Sequence, residues 1–512
     1  MQAKALRWVV LACLPALAAA QDLAEFEKRL TRFTLPNGMR FLILERHEAP
    51  VISFHALVNA GAVNDPPGQS GMAHMFEHMI GKGTRAVGTS NWPKESEALT
   101  KVEKIYDRLE KERDRGATAN QQAIKQLEAD LKAAIDQANT FVEPNAFPRL
   151  IEEQGGVGFN AGTGEDSTSY FYSLPANRAE LWFLLQSEWF RRPVFREFYK
   201  ERDVVREERR MRTESNSQGK LIELTLATAF IEHPYRVPTI GWAAEIESLR
   251  AAAAEDFFRK YYVPVNITVG IVGDITPAKA KELAGKYFGS IPSAPTPPPV
   301  ILVEPRQEGE KRVQLLSEDA QPVALVGYKR PSQFDKDDPV MDVIQGVLSM
   351  GRTGWIYKDL VQDKKIAIAA GAITEMPGGK YPNLFLLFSY PANGRSVEEN
   401  ETALYALIDR LKNTKIDETT LKRVQTNVRA GLIRQLDSNP GLARQLAAYE
   451  AEYGDWHKMF TAIDDINKVT ADDVQRVARE YFIEAGRTVA YTRTVKPSSP
   501  PAAPAEHKGE AQ

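Results

Sequence analysis

The chain has 512 residues, 43% of them hydrophobic, and a formal charge of −3. It is too long for a single hydrophobic core, so two or more domains are expected. The slightly acidic sequence contains no basic block, which gives no reason to expect nucleic acid as a partner.

The sequence begins with the pattern of a secretory signal peptide. Two basic residues precede an apolar run from Trp8 to Leu17, and three alanines ending at Ala20 follow the run. The run is far shorter than the ~20 residues needed to span a bilayer, so we expect cleavage after Ala20. The only cysteine, Cys13, lies in this segment, so the rest of the chain has neither a disulfide nor a thiolate metal ligand. We expect a periplasmic or secreted protein without a membrane span.

Strand and helix patterns alternate through the first half of the chain. Apolar and β-branched residues flank the turn Asn37-Gly38, which predicts a pair of strands, and strand texture returns after Gly156. Between these regions, residues 93–140 are rich in Lys, Glu, Gln and Ala and carry two apolar stripes, which predicts an inserted helical hairpin. The predicted strand regions are 31–44, 51–58 and 156–174, and the predicted helices that follow are 181–190 and 195–212.

The second half of the chain repeats a pattern of predicted helix and strand from the first half. Residues 252–262 and 471–482 both form a predicted helix that ends in an aromatic pair and precedes a β-rich run, and Tyr261 and Tyr481 are 220 residues apart. A period of this length indicates duplicated domains rather than a solenoid. Between the halves lies a Pro-rich stretch, 290–300, which is expected to be a semi-rigid linker.

The most informative stretch is His74-Met75-Phe76-Glu77-His78. Two histidines four residues apart share one face of a helix, and both imidazoles can then bind one Zn²⁺ at about 2.0–2.1 Å. The carboxylate between them stays free to act on a metal-bound water. The order H-x-x-E-H is the inverse of H-E-x-x-H, and both are zinc-peptidase signatures. The alternative is a surface helix whose histidines bind nothing, and a chance match is expected in about one per cent of such chains.

Several further motifs follow in order, and with them the chain resembles the pitrilysin/insulinase family of zinc peptidases over nearly its whole length after residue 20. Ordered motifs at family-like intervals are stronger evidence than the zinc signature alone. The matching segments are Leu35-Pro36-Asn37-Gly38, Gly71-Met72-Ala73 leading into the signature, Gly83-Thr84, Gly155-Gly156 with Asn160-Ala161, residues 201–208, and His233-Pro234-Tyr235 with Gly241.

The resemblance implies a metal site and its chemistry. The third zinc ligand of the family maps to Glu208, and Glu201, seven residues earlier, maps to a carboxylate that orients the ligands. Glu207 is the nearest alternative ligand, but Glu208 has the family spacing from Glu201. Glu77 is implied to be the general base on the zinc-bound water and to deliver the proton to the departing amine. The chain is expected to bind one Zn²⁺ and to hydrolyse peptides or unfolded polypeptides.

The resemblance also implies the fold and the way substrate binds. Each half is expected to be an α+β domain, a mainly antiparallel sheet with helices packed on one side. Residues Phe159, Asn160, Ala161, Gly162 and Thr163 are expected to form an edge strand to which an extended peptide adds; an ordinary sheet edge is the alternative. The predicted organisation is a signal peptide (1–20), an N-terminal zinc-binding peptidase domain (21–289), a linker (290–300), a homologous C-terminal domain (301–495) and a disordered tail (496–512).

The sequence departs from the family at one place. Active members carry an Arg and a Tyr seven residues apart that contact substrate, and the corresponding positions here are Val361 and Ile368. Losing such a contact costs about a few kcal/mol of transition-state stabilisation. We favour a heterodimer in which a homologous chain supplies the Arg/Tyr pair, and a homodimer that uses Arg352 or Tyr357 is a second interpretation. The third is a non-catalytic binding or scaffold subunit, against which the intact set of ligands argues.

Overall fold

The computed structural model describes residues 26–317 and 321–495. The predictions made for the signal peptide and for the tail 496–512 lie outside these residues. No helix in the described ranges is long and apolar enough to cross a membrane.

The first half of the described chain contains a six-stranded sheet with the order β1-β2-β6-β3-β5-β4. All neighbouring strands are antiparallel except β2 and β6. The turn at Asn37-Gly38 connects β1 to β2, and Gly38 has a φ of 95°, which glycine adopts without strain. The strands are β1 (Leu30–Thr34), β2 (Arg40–Glu45), β3 (Val51–Val58), β4 (Val157–Thr163), β5 (Thr168–Pro175) and β6 (Ile267–Gly273).

Helices of the same half cover one face of this sheet, where aromatic residues such as Trp182 and Phe54 form the core. The second and third helices pack against each other as a hairpin within the domain. The helices are α1 (Met72–Met79), α2 (Trp92–Arg113), α3 (Gln121–Asn139), α4 (Ala146–Glu153), α5 (Ala179–Arg191), α6 (Phe198–Arg209), α7 (Ser217–Ala229), α8 (Ala243–Ser248), α9 (Ala251–Tyr261) and α10 (Pro277–Phe288).

The second half contains a five-stranded sheet with the order β7-β11-β8-β10-β9, in which only β7 and β11 are parallel. Apart from β1, this is the order and the polarity of the first sheet, so the two halves are topological copies and the mixed α+β prediction is confirmed. The strands are β7 (Lys311–Ser317), β8 (Ala324–Arg330), β9 (Ala367–Met376), β10 (Asn383–Pro391) and β11 (Arg487–Thr494). The helices are α11 (Asp338–Ser349), α12 (Val397–Asn413), α13 (Glu418–Gln435), α14 (Asn439–Tyr453), α15 (Lys458–Lys468) and α16 (Ala471–Tyr481).

Each half also contributes one helix to the opposite face of the other half's sheet. From the second half, α14 packs on β6 and β3 and buries Leu442 and Leu446 against Leu42. From the first half, α7 packs on β7 and β11 and buries Leu221 against Leu325. Helices of the same half therefore lie on one face of each sheet, as expected, and a helix of the other half lies on the second face. The domain boundaries given above remain predictions.

Candidate metal centre

The short helix α1 carries both histidines of the signature on consecutive turns. Its first N–H groups are held by Asp65, which accepts hydrogen bonds from Gly71 N at 2.7 Å and Ala73 N at 2.8 Å. Phe76, on the opposite face of the helix, is fully buried among aromatic side chains of the core. The helix is thus fixed at its start and along its buried side, and His74 and His78 share the face that remains.

The fold brings His74, His78 and Glu208 together, and these three residues are called the candidate metal set below. One ligand atom from each lies within 4.8 Å of the others. Glu208 Oε2 is 3.8 Å from His74 Nε2 and 3.5 Å from His78 Nε2. A tetrahedral Zn²⁺ with bonds of about 2.0–2.1 Å needs ligand atoms about 3.3 Å apart. The two distances from Glu208 exceed this separation by a few tenths of an ångström, so the residues fit Zn²⁺ once all three ligand atoms draw closer together.

The protonation state of His74 suits a metal ligand, and that of His78 depends on the carboxylates around it. Burial lowers the pKa of His74 to about 3, and the charges of His78 and Arg212 add to this effect, so His74 is neutral at pH 7. For His78, burial lowers the pKa, but the hydrogen bond to Glu201 and the nearby carboxylates, including Glu208, outweigh burial and raise it. The carboxylates around His78 therefore favour a positive charge at its ring. A proton and a metal ion compete to supply this charge.

Glu201 lies beside the set and orients His78. Its Oε2 atom is 3.4 Å from His78 Nδ1, and its Oε1 atom is 2.5 Å from Lys82 Nζ. A hydrogen bond from Nδ1 to a carboxylate leaves Nε2 as the nitrogen that can bind a metal. Glu201 therefore has the geometry that the resemblance implies for it, with Lys82 as an additional partner.

Two charged side chains at the site were not anticipated from the sequence. Lys82 forms ion pairs with Glu201 and Glu197, and Arg212 Nη1 is 2.8 Å from Glu208 Oε1. Lys82 lies four residues after His78, and Arg212 lies four residues after Glu208. This spacing is the one signal that could have identified them, since residues four apart are neighbours on a helix.

Glu77 and the edge strand line one cleft with the candidate metal set. The cleft has a volume of about 790 Å³, and the Glu77 carboxylate makes no hydrogen bond to another described residue. The free edge of β4 forms one wall, and Thr163 Oγ1 lies 3.5 Å from the Ala73 carbonyl oxygen of α1. The cleft is lined by His74, Glu77, His78, Phe159–Thr163, Glu208 and Arg212, with residues 80, 81, 213 and 238–240.

The residues considered for the missing Arg/Tyr pair lie elsewhere. Val361 is in a π-helical turn, Tyr357–Asp363, and packs against the core of the second half. Ile368, on β9, has 58% of its surface exposed. Neither residue lines the cleft of the metal centre, and neither Arg352 nor Tyr357 does.

Two like domains with a His, His, Glu set on the first define a two-domain, pitrilysin-like protein. A family model described as the peptidase M16 inactive domain matches residues 248–428, a segment that begins after Glu208 and does not contain the candidate metal set. The chain is 26% identical over 495 residues to the zinc protease PqqE of Helicobacter pylori, covering 94% of this chain and 96% of that protein. Residues 248–428 therefore match a domain of the peptidase M16 family, and nearly the whole chain is similar to a zinc protease.

Solved structures have the same fold. A structure described as a protease from Helicobacter pylori matches with a TM-score of 0.76 and 25% identity, covering 91% of this chain and 99% of that chain. The periplasmic protease PqqL from Escherichia coli matches with a TM-score of 0.67 and 15% identity, covering 92% of this chain but 49% of that chain. That protein is thus about twice as long as this one.

Proposed function

We propose that the chain is a zinc-dependent endopeptidase that hydrolyses peptides or unfolded polypeptides. The observation that carries the proposal is the convergence of His74 Nε2, His78 Nε2 and Glu208 Oε2 beside a fourth group, Glu77, which forms no hydrogen bond or ion pair with another described residue. Three protein ligands with one open position are the arrangement of catalytic rather than structural zinc sites. The names of relatives such as the zinc protease PqqE agree with this chemistry.

Each residue of the cleft has a separate role in the proposed reaction. When bound, Zn²⁺ lowers the pKa of a coordinated water toward about 7 and polarises the peptide carbonyl. Glu77 accepts the proton of the attacking water as the carbon–oxygen bond forms, and returns it to the amine nitrogen as the carbon–nitrogen bond breaks. Glu201 keeps the His78 ring oriented during these steps. Phe159 to Thr163 bind an extended substrate through backbone hydrogen bonds along the free edge of β4.

The active form is proposed to be a dimer, with a homologous partner chain that carries the Arg/Tyr pair. Val361 and Ile368 cannot donate hydrogen bonds through their side chains, and none of the candidate substitutes lines the cleft. A related fold occurs in a chain about twice as long, which agrees with two such units working together. The predicted signal peptide and the description of that relative as periplasmic support a periplasmic or secreted location.

The decisive experiment measures bound zinc and the cleavage of an unfolded polypeptide, for the wild type, Glu77→Gln and Glu208→Gln, with and without any co-purifying chain. Glu77→Gln should retain zinc and lose about 10²–10⁴-fold in turnover, whereas Glu208→Gln should lose the metal. Undiminished hydrolysis by Glu77→Gln would remove Glu77 as the base.

The second candidate function is a non-catalytic binding or scaffold subunit. The specific observation that favours it is the replacement of the Arg/Tyr pair by Val361 and Ile368. A protein that binds one zinc ion yet cleaves no unfolded peptide, alone or with its partner chain, would establish this function instead.

A further inference from the structure

A second cleft lies behind the edge strand, on the opposite face of the first sheet from the metal centre. It has a volume of about 730 Å³ and lies between β3, β4, β5 and the first turns of α14. Ala161, Gly162 and Thr163 line this cleft as well as the cleft of the metal centre. The two clefts therefore meet along β4, the strand to which substrate is proposed to add.

The register of β4 shows which residues face each cleft. Ala161 pairs with Tyr170, which is buried in the core under the helices of the first half. The next pair, Gly162 and Ser169, faces the other way, because successive residues of a strand point to opposite sides of the sheet. A peptide added to β4 alternates in the same manner, so every second side chain points toward the second cleft.

Arg444, on α14, is the one Arg among the described residues lining this cleft, and Asp, Glu and Lys do not occur there. Its side chain is exposed and has no ion pair with any other described residue. The other ionisable group, His55, makes a 3.1 Å hydrogen bond to Ser169 Oγ. Burial, with a smaller effect of Arg444, lowers the pKa of His55 to about 3, so this group is neutral at pH 7.

A side chain of the added peptide can reach Arg444 across β4. Gly162 has no side chain, and a β-carbon built there would meet no atom within 4 Å. A substrate side chain opposite this position can therefore extend across β4 into the cleft toward Arg444. The serines of the floor, Ser169 and Ser173 among them, add polar groups but no charge.

We propose that Arg444 makes the protein selective for peptides that carry a carboxylate side chain, Asp or Glu, at a position pointing away from the metal centre. The substrate class is thus acidic peptides recognised on the back of the sheet by a residue of the second half. This inference rests on the proposed addition of substrate to β4. The Arg444 charge forms no ion pair with another described residue and lies in a cleft that opens on the binding edge, so it suits an anionic group.

The test moves a single Glu along an otherwise uncharged peptide and compares each peptide with its Gln counterpart. In the full chain, Glu should raise kcat/KM by roughly two- to fivefold at positions two residues apart and have no effect at the position between them. Arg444→Gln should abolish this difference, and Arg444→Glu should reverse it in favour of Lys. The control is Arg429→Gln, an exposed arginine on α13 outside both clefts, which should keep the preference.

Equal kcat/KM for the Glu and Gln peptides at every position, or a preference that survives Arg444→Gln, would overturn the inference while leaving the peptidase function intact. A binding assay separates the two proposals. If no peptide is cleaved, fluorescence anisotropy with the same peptides and the Glu77→Gln variant still measures whether the protein binds the Glu peptides more tightly than the Gln peptides. Binding that depends on Glu and on Arg444 supports the inference even though the absence of cleavage by the wild type counts against hydrolysis, whereas binding without this dependence, or no binding, overturns the inference.

Discussion

Gly270, in the middle of β6, lies directly against the backbone of Ala443 on α14. A β-carbon added to Gly270 would overlap the Ala443 carbonyl oxygen and stand 2.9 Å from the carbonyl carbon. The absence of a side chain lets a helix of the second half rest on the sheet of the first. Because Arg444 follows Ala443, this contact also fixes where that arginine stands relative to β4.

Substitution of Gly270 by Ala should push α14 away from the sheet. The displaced carbonyl belongs to a helix backbone and cannot turn aside as a flexible side chain would, so we expect a loss of about 1–3 kcal/mol in the free energy of unfolding. Urea denaturation of wild type and variant measures this loss. The matched control is Gly285→Ala in α10, where a β-carbon meets no atom within 4 Å; this change should be neutral or slightly stabilising. Equal effects of both substitutions would contradict the close contact.

The loop that follows α1 is anchored by a buried arginine, and its removal should be costly. Arg196 pairs with Glu95 at 2.8 Å and donates hydrogen bonds to the carbonyl oxygens of Lys82, Thr84 and Val87. The side chains of Arg196 and Glu95 are 1% and 0% exposed, so loss of one partner leaves a buried charge unpaired. Arg196→Met should lower the free energy of unfolding by about 3–5 kcal/mol.

A double-mutant cycle with Glu95→Gln distinguishes this pair from simple loss of packing. Removing both partners should cost much less than the sum of the single changes, because no charge then remains unpaired in the interior. Additive losses would show that the pair is not coupled.

The orientation of His78 by Glu201 predicts an effect on metal affinity. Glu201→Gln replaces a charged acceptor by a neutral amide, which holds the Nδ1 proton less strongly and weakens the ion pair with Lys82. Zinc affinity should fall about 10–100-fold, as measured by competition with a chromophoric chelator. The control is Glu207→Gln, an exposed residue of the same helix that pairs with Arg210. If Glu207→Gln weakens zinc binding more than Glu201→Gln, the assignment of these carboxylates is wrong.

Local spacing allowed the pairing of His74 with His78 on one helix face to be predicted from the sequence, whereas Glu208 and Glu201 were expected from the resemblance to a known family. The separations of His74 from His78 and of Glu201 from Glu208 are short distances within single helices, so the helical repeat fixes which side chains share a face. The turn at Asn37-Gly38 could also be predicted, because the residues that form it are adjacent in the sequence. The metal role of these residues itself stays a prediction that the zinc measurements decide.

The packing between halves could not be predicted in this way. The apolar pattern of β6 shows that both of its faces are buried, but it does not show that α14, more than 160 residues later, covers one of them. Hydrophobic burial is non-directional, so periodicity identifies a buried face without naming what covers it. The position of Arg444 behind β4 follows from this long-range contact. The place of Arg444 in the sequence does not predict this position.

The last prediction concerns pH and Glu165, at the turn between β4 and β5. Its Oε1 atom accepts a 2.5 Å hydrogen bond from Thr239, and Oε2 has no partner among the described residues. Burial raises its pKa to about 8, a hydrogen bond from Thr239 opposes this, and the charge of Asp166 adds to it. An unfolded glutamate has a pKa of about 4.5. Between these values the folded protein retains a proton that the unfolded chain has released.

Stability should therefore fall as the pH rises from about 4.5 to about 8 and level off above this range, because the unfolded state binds fewer protons there. Glu165→Gln supplies a neutral side chain of the same shape and should make this decline smaller, so that the variant gains on the wild type most at pH 9. The free energy of unfolding at pH 5 and pH 9 measures the difference, with Glu153→Gln, exposed on α4, as the control. Parallel curves for wild type and Glu165→Gln would mean that Glu165 is already ionised in the folded protein at neutral pH.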